Sequence, residues 1–222
     1  SFNTEGNLML TGGTDSKVRV WDWRQKKLVH EYALDGGQYG VKSSFSADGR
    51  KIAVAGDNGL VVVYSSKAPS ESDTLRNLEY SFCGGCYTEA RFSSDGKWLA
   101  IATDRGSLLL HETGNLKNRH LLKEKIEDFN NMSFSRDGKF LLVSFSNHIE
   151  LYDIGKKTLT LTLPKQEKSF NHAAFSADGR GIFISTNANE TLMFSRDGQY
   201  VKSFRGKLND AVAGDLNLDP NA

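Results

Sequence analysis

Residues 44–50 read SFSADGR, and this short sequence returns along the chain of 222 residues with small changes. Every copy keeps phenylalanine in second place and glycine in sixth, and the other four are SFNTEGN at 1–7, RFSSDGK at 91–97, SFSRDGK at 133–139 and AFSADGR at 174–180. The successive glycines lie 43, 47, 42 and 41 residues apart. Aspartate followed by glycine between two apolar runs is a strong hairpin signal, because glycine adopts the positive φ that such a turn needs. The chain is therefore predicted to repeat one β-hairpin five times.

The strand after each turn repeats as well. Positions three and five past the glycine form a period of two, which places one face of a strand in the core: Met9, Ile52, Leu99, Leu141 and Ile182, then Thr11, Val54, Ile101, Val143 and Ile184. The next residue is always small, as crowded central strands require: Gly12, Ala55, Ala102, Ser144 and Ser185. A further strand ends on a bulky ring in every copy: Trp21, Tyr64, His111, Tyr152 and Phe194. A period of about 40–45 residues with this content predicts repeated four-stranded sheets.

The first copy continues as GGTDSKVRVWDW at 12–23, with a Trp-Asp dipeptide after a Gly-Gly pair and an aspartate-bearing turn. This segment resembles a blade of the WD-repeat β-propellers, and the resemblance extends over essentially the whole chain. It implies an all-β propeller of about five WD-like four-stranded blades in a single domain, 1–222, with repeats at about 1–34, 38–82, 86–123, 128–164 and 169–206. The later copies lack the dipeptide, and no copy has the Gly-His pair of typical blades. We therefore expect packing to replace the buried polar network that such a histidine anchors.

The tail of the chain bears on how the propeller closes, since closure removes exposed strand edges. The segment DLNLDPNA at 215–222 resembles one more first strand with its turn, and Leu218 lies 43 residues after Phe175. A strand at 212–218 is thus predicted either to close a ring of five blades or to begin the next blade of a larger propeller. We expect a monomer if the ring closes.

Composition limits the classes of partner. The chain has 28 basic and 27 acidic residues, so no long-range field attracts nucleic acid or an anionic membrane. No apolar run is long enough to cross a bilayer, and no signal-peptide pattern stands at the start. We expect an intracellular chain, cytoplasmic or nuclear, without membrane insertion. The only cysteines, Cys83 and Cys86, form neither a disulfide framework nor a complete zinc site.

The sequence has none of the common catalytic signatures. The chain has no GxSxG elbow, no glycine-rich phosphate loop and no HExxH helix. Its five histidines are not spaced as a metal pair, and His111 occupies the place of a ring in the other copies, which favours a packed core histidine. We therefore predict no catalytic residue, no metal and no cofactor.

The family resemblance implies a scaffold that holds protein partners or a peptide motif within a larger assembly. Propeller faces are built from loops on a rigid core, so the candidate surface combines two kinds of residue. One kind lies in the turns between second and third strands, and the other is aromatic and precedes the first strands. The candidates are Asp15, Tyr39, Asp57, Tyr87, Asp104, Arg105, Phe129, Asn147, Phe170 and Asn187. The aromatic rings either pack at the strand entry or anchor a partner, as aromatic hot spots do.

Two further interpretations stay open. An alternative function is a small-molecule-binding or hydrolytic propeller that uses its central channel, with a polar lining of Asp57, Asp104, Asn147 and Asn187. The polar segment SSKAPSESDTLRN at 65–77 is predicted to be a loop between the third and fourth strands of the second copy. It is either a tolerated surface insertion or an acceptor of phosphate.

Overall fold

The computed structural model describes residues 1–34, 40–56, 59–67, 70–76, 87–163 and 169–205. These residues contain nineteen strands and no helix. The strands form five antiparallel sheets, in each of which strands consecutive in the chain are neighbours. Sheets 1 to 3 belong to one compact unit, Ser1–Glu127, and sheets 4 and 5 to a second unit, Asp128–Ala222. The predicted all-β class of repeated blades is confirmed, whereas a single domain over 1–222 stays a prediction.

The first unit contains eleven strands in its described residues. Sheet 1 consists of β1 (Leu8–Gly12), β2 (Lys17–Asp22) and β3 (Lys27–Ala33). Sheet 2 consists of β4 (Val41–Phe45), β5 (Lys51–Gly56), β6 (Leu60–Ser65) and β7 (Ser72–Arg76). Sheet 3 consists of β8 (Thr88–Phe92), β9 (Trp98–Thr103), β10 (Leu108–Glu112) and β11 (Asn115–Lys123). The strands of each sheet fall inside one predicted repeat.

The second unit contains eight strands in its described residues. Sheet 4 consists of β12 (Phe129–Phe134), β13 (Phe140–Phe145), β14 (Ile149–Asp153) and β15 (Thr158–Leu163). Sheet 5 consists of β16 (Phe170–Phe175), β17 (Gly181–Thr186), β18 (Glu190–Ser195) and β19 (Tyr200–Arg205). The predicted strand at 212–218 lies outside the described residues, and closure therefore stays a prediction.

Two local details differ from the sequence-based expectation. The prediction that all of 65–77 is a connecting loop is wrong, because β7 lies within it and pairs with β6 from Tyr64–Ser72 to Leu60–Arg76. An outer strand tolerates polar residues, since its side chains face water. Sheet 1 has three strands among the described residues and not the predicted four; Phe2 forms an isolated antiparallel bridge with Met9, and Leu10 N donates to Ser1 O at 2.7 Å.

The recurring turn is stabilised by its serine and aspartate. Ser46 Oγ donates to Asp48 Oδ1 at 2.6 Å and accepts from Lys51 N at 2.9 Å, while Asp48 Oδ1 also accepts from Arg50 N. Gly49 has a φ of 67°, as the turn requires. The same bonds recur around Ser93, Ser135 and Ser176. In the first copy Asn3 replaces the serine, and its Oδ1 accepts from Asn7 N and Leu8 N.

A further copy of this turn was missed in the sequence. Ser195 and Asp197 form the same hydroxyl–carboxylate bond, and Gln199 N donates to Ser195 Oγ at 3.0 Å. This copy joins β18 and β19, whereas the copies at Ser46, Ser93, Ser135 and Ser176 join the first and second strands of a sheet. Its glycine, Gly198, does not follow the period of the other turn glycines, so the repeat did not predict this copy.

The turn predicts a dependence of stability on pH. The Ser135 hydroxyl, followed by the Lys139 amide and the Lys139 and Arg196 charges, holds the pKa of Asp137 below its usual value. The ionised carboxylate therefore contributes stability above the pKa of the unfolded chain, and this contribution is lost as pH falls through the folded pKa. We expect Asp137→Asn to lower the free energy of unfolding slightly at pH 7 and to converge on the wild type in acid. Urea unfolding of both proteins from pH 7 to pH 3 tests this, and a constant difference would contradict it.

The core of the first unit lies between its sheets. Leu10 and Val18 of sheet 1 pack with Ile52 and Val54 of sheet 2. The intervening Ala53 belongs to a second cluster, which sheet 2 shares with sheet 3. The strand β5 is thus buried on both faces, because a sheet packs on each side of it, and not only on the one face that period two predicted. A third cluster, between sheets 4 and 5, has Leu142 and Leu151 against Ile182 and Ile184.

Polar side chains also join neighbouring sheets at their first strands. Ser44 Oγ on β4 donates to Ala90 O on β8 at 3.0 Å. In the second unit the buried amide of Asn131 on β12 both donates to Ala173 O at 3.2 Å and accepts from Ala173 N at 3.0 Å. A side chain thus replaces a strand partner for backbone groups at the edge of β16.

The polar atoms at the ring positions of the first three repeats form hydrogen bonds with different partners. Trp21 Nε1 donates to Thr11 Oγ1 at 3.0 Å, Tyr64 OH donates to Ala33 O at 2.9 Å, and His111 Nδ1 is bonded to Leu116 O at 2.7 Å. His111 is buried, as predicted, and burial lowers its pKa. The aspartate after the ring stabilises the next turn, since Asp22 Oδ1 accepts from Gln25 N and Asp153 Oδ1 from Lys156 N.

Candidate interaction surface

Two kinds of segment meet at one end of a sheet: the turn between its second and third strands, and the segment that enters its first strand. In sheet 3, Asp104 N donates to Tyr87 O at 2.8 Å. The equivalent bonds in sheets 4 and 5 run from Ser146 N to Asp128 O at 2.9 Å and from Asn187 N to Ser169 O at 3.0 Å. Both kinds of candidate residue therefore lie at the same end of their own sheet, which we call the loop end.

The loop end of sheet 3 is held by its backbone. Gly106 N donates to Thr103 O at 2.8 Å, and Arg105 N donates to Ile126 O at 2.6 Å. Arg105 has a φ of 59°, a left-handed conformation that is unfavourable for a residue with a β-carbon. Its side chain is exposed, and Asp104 beside it is half-buried. The backbone contacts hold Arg105 in this strained conformation and present its charge to solvent.

Among the described residues of the first unit, Tyr87 is the aromatic candidate, and its side chain is half-buried. Its ring lies 4.0 Å from Lys42 Nζ on β4, a cation–π contact between neighbouring sheets. Both side chains are half-buried. Tyr87, Lys42, Asp104 and Arg105 together give this loop end an aromatic surface with charges of both signs.

A buried carboxylate follows Tyr87 on β8. Glu89 is 1% exposed; its Oε1 accepts from Arg91 Nε, and its Oε2 has no hydrogen-bond partner among the described residues. Glu89 was not among the candidates predicted from the sequence. Alignment of the repeats could have indicated this position. The residue two before the seven-residue turn sequence is polar in four copies: Lys42, Glu89, Asn131 and His172.

Asp15 is engaged within sheet 1. Arg19 pairs with Asp15 at 2.5 Å and with Glu31 at 2.9 Å, and Lys17 pairs with Glu31 at 2.5 Å. The Arg19 guanidinium holds the pKa of Asp15 below its usual range, and the Lys17 ammonium does the same for Glu31. By its position in the repeat, the turn at 13–16 between β1 and β2 corresponds to the turn between the second and third strands of the four-stranded sheets, so it marks the loop end of sheet 1. The network balances the charges at that end.

Side chains at the turn between β13 and β14 of sheet 4 form a hydrogen-bond network. The ring of His148 stacks on Phe145 at 4.4 Å, and its Nδ1 lies 2.5 Å from Asn147 Oδ1. Its Nε2 lies 3.3 Å from the buried carboxylate of Glu150, which also accepts from Tyr152 OH at 2.7 Å. Burial, followed by the Glu150 carboxylate, raises the pKa of Tyr152. Asn147 is therefore half-buried and part of this hydrogen-bond network, whereas Asn187 of sheet 5 is exposed.

Two aromatic candidates are core residues. Phe129 is 4% exposed and Phe170 is 1% exposed, and Phe170 belongs to the cluster between sheets 4 and 5. Of their two interpretations, packing at the strand entry describes them, because neighbouring strands cover both rings. Tyr39 and Asp57 lie outside the described residues.

Within the part of the chain that the structure describes, no three potential ligands from histidine, aspartate and glutamate come together. Cys83 and Cys86 lie outside that part. None of the described segments is a helix with the length and hydropathy to cross a bilayer.

Comparisons with known proteins agree with the fold. The family model described as "WD domain, G-beta repeat" matches residues 1–22. The chain is similar to the β-propeller domain of Cps50 (Swd1) from Myceliophteria thermophila, with a TM-score of 0.72 and 14% sequence identity over 93% of this chain and 71% of that one. No curated protein matches the chain. The resemblance to WD-repeat propellers is thus confirmed for the first repeat and for the fold.

Proposed function

We propose that this β-propeller chain, whose first repeat is a WD repeat, is a non-catalytic scaffold that binds protein partners within a larger assembly. The observation that carries the proposal is the loop end of sheet 3. There an exposed Arg105 and a half-buried Tyr87 stand on a backbone that hydrogen bonds hold in place. Binding to a surface that is already ordered loses little conformational entropy.

The residues at this loop end are of the types that dominate protein interfaces. Tyrosine and arginine are enriched among hot spots because they combine apolar area with directed hydrogen bonds. Lys42 over the Tyr87 ring keeps a cation beside the aromatic surface. A partner that presents an acidic group next to an apolar side chain would match this arrangement.

The alternative of a small-molecule site stays a prediction without a described contact that favours it. Of its proposed lining, Asp57 lies outside the described residues. Asp104 lies in the first unit, and Asn147 and Asn187 lie in the second. Protein binding is the function that the contacts at the loop end of sheet 3 favour.

The proposal predicts partner capture that depends on the loop end of sheet 3. The immobilised chain is exposed to an extract of its source cells, and bound proteins are quantified by mass spectrometry. We expect Arg105→Glu to lower recovery of the main partner about tenfold, the effect of removing one hot spot. The matched control is Arg119→Glu, which reverses an exposed charge on the outer strand β11 and should not change recovery. Failure to recover any stoichiometric partner would contradict the scaffold function, and equal recovery by both variants would contradict this surface.

A further inference from the structure

A second surface lies on sheet 1, at the end opposite its loop end. The strand β2 runs from the turn at 13–16 to the turn at 23–26, so the two turns are at opposite ends of the sheet. At the second turn Trp23 is 44% exposed, and Phe2 beside it is 51% exposed. Leu28 and Val29, which follow on β3, are also exposed. An exposed pair of apolar rings in contact, such as Phe2 and Trp23, is typical of an interaction site on a soluble domain. We call Phe2, Trp23, Arg24, Lys26 and Lys27 the Trp23 surface.

The indole of Trp23 is held in one position. Its Nε1 donates to Gly6 O at 2.8 Å, and the Phe2 ring meets it edge to face with centroids 6.2 Å apart. The turn itself is fixed by Asp22 Oδ1, which accepts from Gln25 N at 2.8 Å. An aromatic side chain that is already ordered gives up little freedom when a partner covers it.

Three basic side chains follow Trp23 in the turn and at the start of β3. Arg24, Lys26 and Lys27 are all exposed, and none of them forms an ion pair with another described residue. The guanidinium of Arg24 lies 5.5 Å from the Trp23 centroid. The contrast with the loop end of the same sheet is direct, because there Lys17 and Arg19 are neutralised by carboxylates.

The nearby acidic groups are engaged in the turns. Asp22 accepts the backbone bond from Gln25, and Glu5 Oε2 accepts from Asn7 Nδ2 at 3.2 Å. Arg24 therefore lies beside an exposed aromatic pair, and Lys26 and Lys27 follow it in the chain with no ion pair to another described residue. Opposite charge on a partner would be attracted to this place and oriented there.

We propose that the Trp23 surface binds an acidic peptide segment whose leucine or similar apolar side chains cover Trp23 and Phe2 while its carboxylates pair with Arg24, Lys26 and Lys27. Single-stranded nucleic acid fits less well, because it needs open ring faces for base stacking, and Arg24 lies over one face of the indole. This surface is separate from the loop end of sheet 3, so it goes beyond the proposed function.

The test measures binding of a defined probe by the whole chain. A short fluorescein-labelled peptide of glutamate, aspartate and leucine is titrated with the protein, and binding is followed by fluorescence anisotropy. We expect saturable binding that weakens as NaCl is raised, because exposed charges are screened. We expect Trp23→Ala and the double variant Lys26→Glu/Lys27→Glu each to weaken it about tenfold, as loss of an anchor does.

The controls separate the surface from general effects. The double variant Lys117→Glu/Arg119→Glu makes the same charge change on exposed positions of β11 and should bind like the wild type. Arg105→Glu should also bind like the wild type, so that loss of the loop-end partner and loss of this peptide are distinguishable. Circular dichroism confirms that each variant is folded.

Four results would overturn the proposal. The first is no saturable binding of the acidic peptide, and the second is binding that the Trp23 surface variants leave unchanged. The third is equal binding of a peptide in which serine replaces leucine, which would remove the apolar anchor from the argument. The fourth is tighter binding of oligouridylate than of the acidic peptide, which would assign the surface to nucleic acid.

Discussion

Replacing Gly12 by alanine is expected to lower the free energy of unfolding of the first unit by about 1–3 kcal/mol, the usual cost of overpacking a closely packed position. A β-carbon on Gly12 would lie 2.3 Å from Val41 O and 3.3 Å from Val41 Cγ2. The first of these atoms is backbone, so it cannot rotate away as the end of a side chain can. The strands β1 and β4 would have to separate.

The measurement for Gly12→Ala is chemical denaturation at pH 7, followed by tryptophan fluorescence. The matched control is Gly114→Ala in the turn between β10 and β11, where an added β-carbon would meet nothing within 4 Å. We expect the control to stay within about 0.5 kcal/mol of the wild type, as surface changes do. Equal losses in both variants would show that close approach of β1 and β4 does not limit position 12.

Asn131→Ala is expected to lower the free energy of unfolding of the second unit by about 2–4 kcal/mol. The variant removes the amide that bonds both Ala173 N and Ala173 O, and each buried group left without a partner costs about 1–3 kcal/mol. The strand β16 is a terminal strand of sheet 5, so its free edge has no strand to take over these bonds.

The rate of hydrogen exchange at the Ala173 amide tests the loss of its bond to Asn131 directly. We expect faster exchange at this amide in Asn131→Ala, together with a lower midpoint of denaturation. Asn171→Ala provides the control, because Asn171 is an exposed residue of β16. Unchanged exchange at Ala173 in the Asn131 variant would contradict the bridging role.

The parts of the fold that depend on local sequence were predictable. The Asp-Gly turns, the period of two and the small residue after it specify hairpins and a close approach, and Gly12 occupies such a position. The burial of both faces of β5 was less apparent, because it requires a sheet on each side. The strand β7 was missed, since an outer strand whose side chains face water can have the composition of a loop.

The candidate surface was predictable in part. Chain position placed Asp104 and Tyr87 at one end of their sheet, and the backbone bond between them agrees. Sequence could not decide whether Phe129 and Phe170 pack or remain open, because that depends on which strands cover them. The sequence also did not predict that Trp23 is exposed. Trp21, two residues earlier, is half-buried on β2 and donates to Thr11, whereas Trp23 lies in the turn that follows.

The serine–aspartate turns also bear on how the protein ages. An Asp-Gly bond converts to isoaspartate in two steps. The glycine nitrogen attacks the aspartate side-chain carbon and displaces water to form a cyclic imide, and water then opens the imide at its main-chain carbonyl. In the folded turn Gly49 N donates to Ser46 O at 2.8 Å, and the carboxylate of Asp48 is held by the Ser46 hydroxyl and the Arg50 amide. Both reacting groups are thus occupied, and the same bonds protect Asp95, Asp137 and Asp178. Chemical damage at these bonds should therefore accumulate in molecules that have unfolded, which makes isoaspartate a record of past unfolding.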